Sequence, residues 1–474
     1  MKQTSLRAST CLAIGALLSL CAAGSSAHAQ SGAGIPGSSY YSAVSTYQNG
    51  DFKMALEQFQ MELQGSFKIG QNRWIDSICH YAMVGEAHYQ LGNYPAALEN
   101  FNLCLNHWLT LRTWMQKARF TDDIRLAQAG QIRNVPWGPT GRRTKYGEYP
   151  EEVLVLQGED NPAANNAVVR TGGIFAQPTL RPVGVYEAVR TMALALRRRR
   201  ELLGPVADRD PLGEKLIAAL SGQVTTSGHW SRVFADTHLG LAYAAAGNDA
   251  MAKPLLMQSA TASGGYDHVL TATCLFEVAR IELTNGNFIA ASNLFYEASC
   301  AAFQYYDPIL IEESLRYGHM AHLLANRTGP YPPIARAMEY ARRNQMGLLY
   351  ASTAVLMGES LSLHGQGDQA AAALTDALKT VRGTSMATTR IGARVNHLTA
   401  QVAYQQGKLA AGDAALATAI ATQRKVSVWL WHLTLSDNLW RQQTLTPRDA
   451  MRVYDYLLRE PKSCLLYTSD AADE

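Results

Sequence analysis

The sequence predicts an all-α solenoid: helix hairpins stacked along one axis and interrupted by an irregular insertion. Three observations predict it. A pattern of small and apolar residues at helical spacing around a turn recurs seven times, six of them on a glycine. Hydrophobic residues make up 47% and charged residues only 17%, which supplies ample surface for helix-on-helix burial and too little charge for disorder or a coiled coil. The length of 474 residues exceeds what one core usually supports, leaving either several domains or a repeat array.

Residues 1–29 read as a secretory signal peptide. Lys2 and Arg7 form the positive start, Cys11 to Ala23 is an apolar run, and Ala27-His28-Ala29 is a small-x-small cleavage site. The run is too short for a spanning helix of about 20 residues, and no later stretch is long and apolar enough. Leu20, before Cys21, is not the small residue a lipoprotein signal places there. The expected location is periplasmic or secreted, with no integral membrane segment after signal removal. At the other end, residues 464–474, Cys464 to Glu474, resemble a translated sequencing adapter, so a natural chain continuing past Ser463 is expected.

The clearest repeat runs from Tyr81 to Phe101 around Gly92. Gly85 lies seven before the turn, Tyr94 two after, Ala97 five after and Phe101 nine after. Glycine permits the tight turn, and the small residues let two helices approach. Gly50 repeats these offsets with Ala43, Phe52, Ala55 and Phe59; Gly286 does so with Ala279, Phe288, Ala291 and Phe295. Gly247, Gly365 and Gly407 keep the small and apolar positions but replace the aromatic with Asp249, Gly367 and Leu409. A looser seventh unit starts at Gly318 and turns near Ala325. The pattern strongly resembles the tetratricopeptide repeat (TPR), which implies a right-handed superhelix. Turn-to-turn spacings of 39–42 residues exceed the family's usual ~34, so longer helices or loops are expected.

These matches divide the chain. Residues 30–105 hold two repeats and residues 231–463 hold five. Residues 106–230 form a helix-containing insertion with a long loop from Asn134 to Pro150. Within it Trp108 to Ala118, Tyr186 to Leu203 and Gly213 to Ser221 look helical, and Val153 to Leu156 and Gly173 to Ala176 could be strands. Arg197 to Arg200, the one basic run, reads as the solvated end of a helix, where cations complement the dipole. With a net charge of +3, no nucleic-acid partner is expected. The segment Trp429 to Trp440 is too apolar for a terminal cap and should pack on something further.

Candidate chemistry is sparse. His319 and His322, three apart behind Glu312 and Glu313, lack the carboxylate spacing of a zinc-protease motif, so no metal is expected. No nucleophile elbow or complete phosphate loop occurs, and Gly141-Arg142-Arg143 only loosely resembles one. Asp122-Asp123, Glu151-Glu152 and Glu159-Asp160 read as acids on solvated turns. No cofactor and no catalysis are expected. Cys79 with Cys104, and Cys274 with Cys300, sit at matching heights on two hairpins. They are candidate disulfides in an oxidising compartment, although facing helices stand ~8–10 Å apart and a bridge needs closer Cα atoms; buried free thiols are the favoured reading.

In the TPR family the first helices line a concave groove that binds peptides or partner helices. Carrying over that geometry nominates Val44, Tyr47, Glu86, Tyr89, Arg280, Leu283, His319, His322, Glu359, Ser362, Gln401 and Tyr404. The Asn/Lys/Arg set that captures an acidic tail is absent from these positions. The reading is an extracytoplasmic scaffold that binds protein or peptide partners and helps assemble an envelope complex. The alternatives are the regulatory arm of a larger secreted enzyme, such as a peptidase, and an α/α-barrel carbohydrate-active enzyme.

Overall fold

Each hairpin turns on a residue held in the left-handed region. In the computed structural model Gly50, Gly92, Gly247, Gly286, Gly365 and Gly407 all have φ between 72° and 85°. A side chain at such a residue costs about 1–2 kcal/mol, which is why glycine recurs there. The seventh turn is made by Asn326, φ 51°, one residue beyond the position expected from sequence; asparagine tolerates this conformation better than most residues. The structure describes residues 34–157 and 178–442 except 70 and 328, together with 169–171, 446 and 451. The signal segment, the tail 464–474 and the strand expected at Gly173–Ala176 lie outside the described residues.

The seven hairpins pair α1 (Ser38–Gln48) with α2 (Phe52–Gly65), α3 (Asp76–Gln90) with α4 (Tyr94–Thr110), α7 (Arg232–Ala245) with α8 (Asp249–Ser259), α9 (Thr271–Thr284) with α10 (Phe288–Gln304), α11 (Pro308–Leu324) with α12 (Pro333–Arg343), α13 (Gly347–Leu363) with α14 (Gly367–Arg382), and α15 (Arg390–Gln405) with α16 (Leu409–Val426). Second helices start on capping side chains where the sequence supplies them: Asp51 accepts from Met54 N and Asn248 from Met251 N, each at 3.2 Å. The small residue before each turn makes room for the large residue nine after it. A Cβ on Gly85, Gly240 or Gly358 would stand 2.7 Å from Phe101, Leu256 or Leu374. Those partners are fully buried, as are Ala55, Phe59, Ala97, Ala291, Phe295 and Ala370.

The insertion has three parts. An outer strap runs from the end of α4 across the second helices of later hairpins. Its Trp137 is buried against Phe303, ring centroids 5.2 Å apart, and donates Nε1–H to Ser299 Oγ at 2.9 Å. Arg142 pairs with Asp267 at 3.0 Å, and β3 (Lys145–Tyr146) runs parallel to β6 (Tyr266–Asp267) in the link before α9. Strand β4 (Val153–Gln157) then pairs antiparallel with β5 (Thr179–Val183); a two-residue hairpin, β1 (Lys68–Ile69) with β2 (Asn72–Arg73), lies before α3. After β5 the chain turns inward as α5 (Val185–Leu203), packed on α3, α4 and α7, and returns through α6 (Pro211–Ser221), wedged between α4 and α7.

The array closes on itself. Ser385 Oγ donates to Gly50 O at 3.1 Å and accepts from Lys53 N at 3.3 Å, while Tyr94 donates its hydroxyl to Val426 O. Helix α17 (Val428–Arg441) then folds back onto α5: Trp431 Nε1 donates to Leu202 O at 2.9 Å, and Leu433, Leu435 and Leu439 cover Val206. Much of the apolar segment expected to need an outside partner is therefore covered from within. The result is one superhelical turn of hairpins closed around α5.

Candidate functional site: the inner face and its resident helix

The inner face is made by the first helix of each hairpin, as the offsets require, and α5 occupies it. Helix α5 carries Val189, Met192, Leu194, Ala195 and Leu196 into the interior, and with them Arg197, Arg198 and Arg199, no more than 2% exposed. This corrects the reading of Arg197–Arg200 as a solvated terminus. Burying an unpaired guanidinium costs several kcal/mol, so the fold tolerates these arginines only because carboxylates meet each of them.

The pairing reaches across the ring. Arg198 grips Glu86 of α3 in a two-pronged contact, Nε to Oε2 at 2.6 Å and Nη2 to Oε1 at 2.9 Å. Its Nη1 reaches Glu313 of α11 at 2.6 Å. Arg197 donates to Glu277 of α9 at 3.2 Å and to Glu313, and lies over the Phe276 ring at 4.3 Å. Arg200 bridges Glu277 and Asp249, each at 3.0 Å; Arg199 holds Asp210 at 2.6 Å. Tyr89 sits between two guanidinia, Arg198 at 4.2 Å and Arg390 of α15 at 4.5 Å, while its hydroxyl donates to Glu201 and accepts from Arg390 at 2.8 Å.

Burial alone would push these carboxyls up, and the arginines more than reverse it. The Arg198 and Arg197 guanidinia hold Glu313 far below the usual carboxylate range, and Arg198 with Arg280 hold Glu201 at about 2. Glu277 is likewise lowered against its burial by Arg280, Arg200 and Arg197. These groups stay ionised at any ordinary pH, which suits recognition of opposite charge and not the carrying of a proton.

Of the residues nominated from the sequence, the structure gathers Tyr47, Glu86, Tyr89 and Arg280 around α5. Tyr47 donates to Glu86 at 2.7 Å, and Arg280 meets Glu201 at 3.3 Å and Glu277 at 3.2 Å. Their partner is an internal helix, so they do not line a vacant groove. Further round, His319 donates to Glu359 at 3.0 Å; Arg394, with burial opposing, helps keep Glu359 at about 2. His322 is buried under Tyr331 and donates to Gly329 O at 3.1 Å, and Ser362 bonds Gln405 at 3.0 Å. Among the described residues no cluster of three or more metal-ligating side chains is present. Val44, Leu283 and Gln401 are half-buried, and Tyr404 is exposed on the rim with its hydroxyl on Asp413. Sequence offsets missed Arg197, Arg198, Glu201, Glu277, Glu313 and Arg390. Four successive arginines inside an otherwise apolar helix were the signal that could have found them.

Cys79, Cys104, Cys274 and Cys300 are all buried free thiols. Cys104 donates to Ile78 O at 3.4 Å, and burial pushes the Cys274 and Cys300 thiols up to about 12.

The hairpins are TPR-like. Their offsets, glycine turns and small-against-large packing are those of the repeat named from the sequence. No family model matches the sequence, and no curated protein matches it. Solved structures are similar to parts of the chain, among them a crystal structure of nearly identical TPR-like repeats ascribed to a putative kinesin light chain of Podosopora anserina. It is 18% identical, covers 50% of this chain and 95% of its own, and superposes with a TM-score of 0.24.

Proposed function

We propose that this protein is a non-catalytic protein-interaction scaffold acting in the periplasm or outside the cell. The observation that carries the reading is α5 on the inner face. The stacked helices already recognise a helix, by apolar contact along its N-terminal half and by arginine–carboxylate pairs around its C-terminal end, in the manner of a helix seated in a groove. The acids that meet α5 are committed to ion pairs, which favours binding over acid–base chemistry. With α5 resident, the surface open to a partner lies at the rim, where Tyr404 is exposed, and on the outer helices. There Met54, Met61, Leu103, Met251, Met257 and Ile289 stand at least 42% exposed.

A photo-crosslinking residue at Tyr404, compared with one at Met61, tests this in the native envelope. The scaffold reading expects a discrete protein adduct at one of the two positions, from a fraction containing the processed chain. Retention in the cytosol with an uncleaved leader would refute the location. Absence of any discrete adduct at both positions would count against the scaffold.

A further inference from the structure

The ring is held together in two different ways. Most successive hairpins join along whole helix faces, α10 on α11, α8 on α9 and α14 on α15, while hairpins 2 and 3 are joined through α5 and α6. The closure is different. There the tips of hairpins 1 and 2 touch the first turn of α13, the link between α14 and α15 and the end of α16, through close backbone approaches and a few buried side chains. Asn49 O lies where a Cβ on Gly347 would stand 2.6 Å away, and Lys425 O where a Cβ on Gly92 would stand 2.8 Å away. Met386 is fully buried and covers Gly50. Ser385 supplies a hydrogen bond each way, and Tyr94 and Tyr89 reach across to Val426 and Arg390.

We propose that the ring opens along this one seam, between hairpins 1–2 and the Gly347–Met386–Val426 edge, with the joints between successive hairpins remaining shut. The apolar side chains that part with the seam are Met386, Val426 and Tyr94, each no more than 3% exposed and set among glycines and carbonyls. Parting a hairpin–hairpin joint would expose an entire packed helix face, a far larger penalty at about 25 cal/mol per Å². Local openings of this kind occupy the low-stability end of a fold. The seam is thus the gate to the arginine–carboxylate lattice around Tyr89. Its use as a partner's entrance rests on the scaffold reading; the opening itself does not.

The test uses thiol trapping on the full chain, with the native buried cysteines as internal references. Met386→Cys places a thiol in the seam, while Cys104, Cys274 and Cys300 report on hairpin cores. Under native conditions the seam thiol should alkylate at least tenfold faster than those three, read by peptide mass spectrometry. Gly347→Ala, added to this background, drives a methyl against Asn49 O and should raise the seam rate about tenfold again, with native-cysteine rates and helical circular dichroism unchanged. Equal rates for the seam thiol and Cys274 in both backgrounds would overturn the proposal, as would a wedge that accelerates every thiol together. A seam that opens in a chain with no partner adducts would sink the scaffold reading and leave the gate standing.

Discussion

Replacing Arg198 by methionine isolates the interaction on which the interior depends. The substitution keeps most of the side-chain volume and removes one guanidinium that is 1% exposed. Glu86 loses both prongs of its contact and Glu313 its 2.6 Å partner. Breaking one buried pair from one side costs about 3–5 kcal/mol, because the orphaned carboxylate remains out of water. Glu313 keeps Arg197, and Glu86 keeps only Tyr47 and Gln90, so most of the penalty falls at Glu86. The assay is urea unfolding of the wild type, Arg198→Met, Glu86→Gln and the double variant, completed as a cycle. The single arginine variant should lose about 3–5 kcal/mol. The double variant should lose clearly less than the sum, with a coupling of about 1.5–3 kcal/mol. A solvated terminal arginine would cost no more than about 0.5 kcal/mol with no coupling to Glu86; that outcome refutes the buried lattice.

Acid should weaken the fold through its histidines. Burial holds His80, His238 and His268 down to about 4, so from pH 6.5 to 4 the unfolded chain binds protons there that the folded chain does not, and stability falls with pH. Asp76 and Asp267, pushed up to about 6 by burial, act oppositely between about 6 and 3.8. His238→Gln should flatten the net slope by about 1.4 kcal/mol per pH unit, and an unchanged slope would show that His238 is protonated in the fold. Gly240→Ala should cost about 1–3 kcal/mol by crowding Leu256, measured by urea unfolding, and a neutral result would mean that α7 and α8 are not so closely packed. Trp137→Ala should cost about 3 kcal/mol and open residues 134–150 to limited proteolysis; an unaltered digest would show that the strap is held by something else. Residues 30–463 alkylated in denaturant without reductant should show four labelled thiols, whereas Cys79 and Cys104, or Cys274 and Cys300, unlabelled together would place a disulfide within one hairpin.

The hairpins were legible because their determinants are local. Gly92, Gly85 and Phe101 lie within sixteen residues of one another and say together that two helices meet there. The seventh turn slipped by one residue because Asn326 does the work of glycine with no change in the surrounding pattern. What lay beyond reach was non-local. Arg198 pairs with Glu86 across 112 positions, and Arg197 with Glu313 across 116. Each acid alone reads as an ordinary polar residue on a first helix. Only assembly of the ring shows that α3, α9 and α11 each aim a carboxylate at one axis, and that the four-arginine run is the counterpart they share. Of the nominated positions Tyr47, Glu86, Tyr89 and Arg280 gather around α5, yet periodicity carries no information about what fills the face they share.

Small-angle X-ray scattering from monomeric residues 30–442 tests the central claim most directly. A ring closed around its own helix should scatter as a compact body of this length, with a radius of gyration of about 22 Å. Values near or above about 30 Å, well beyond the compact-domain relation, would describe an extended spiral with α5 outside it and would contradict the account.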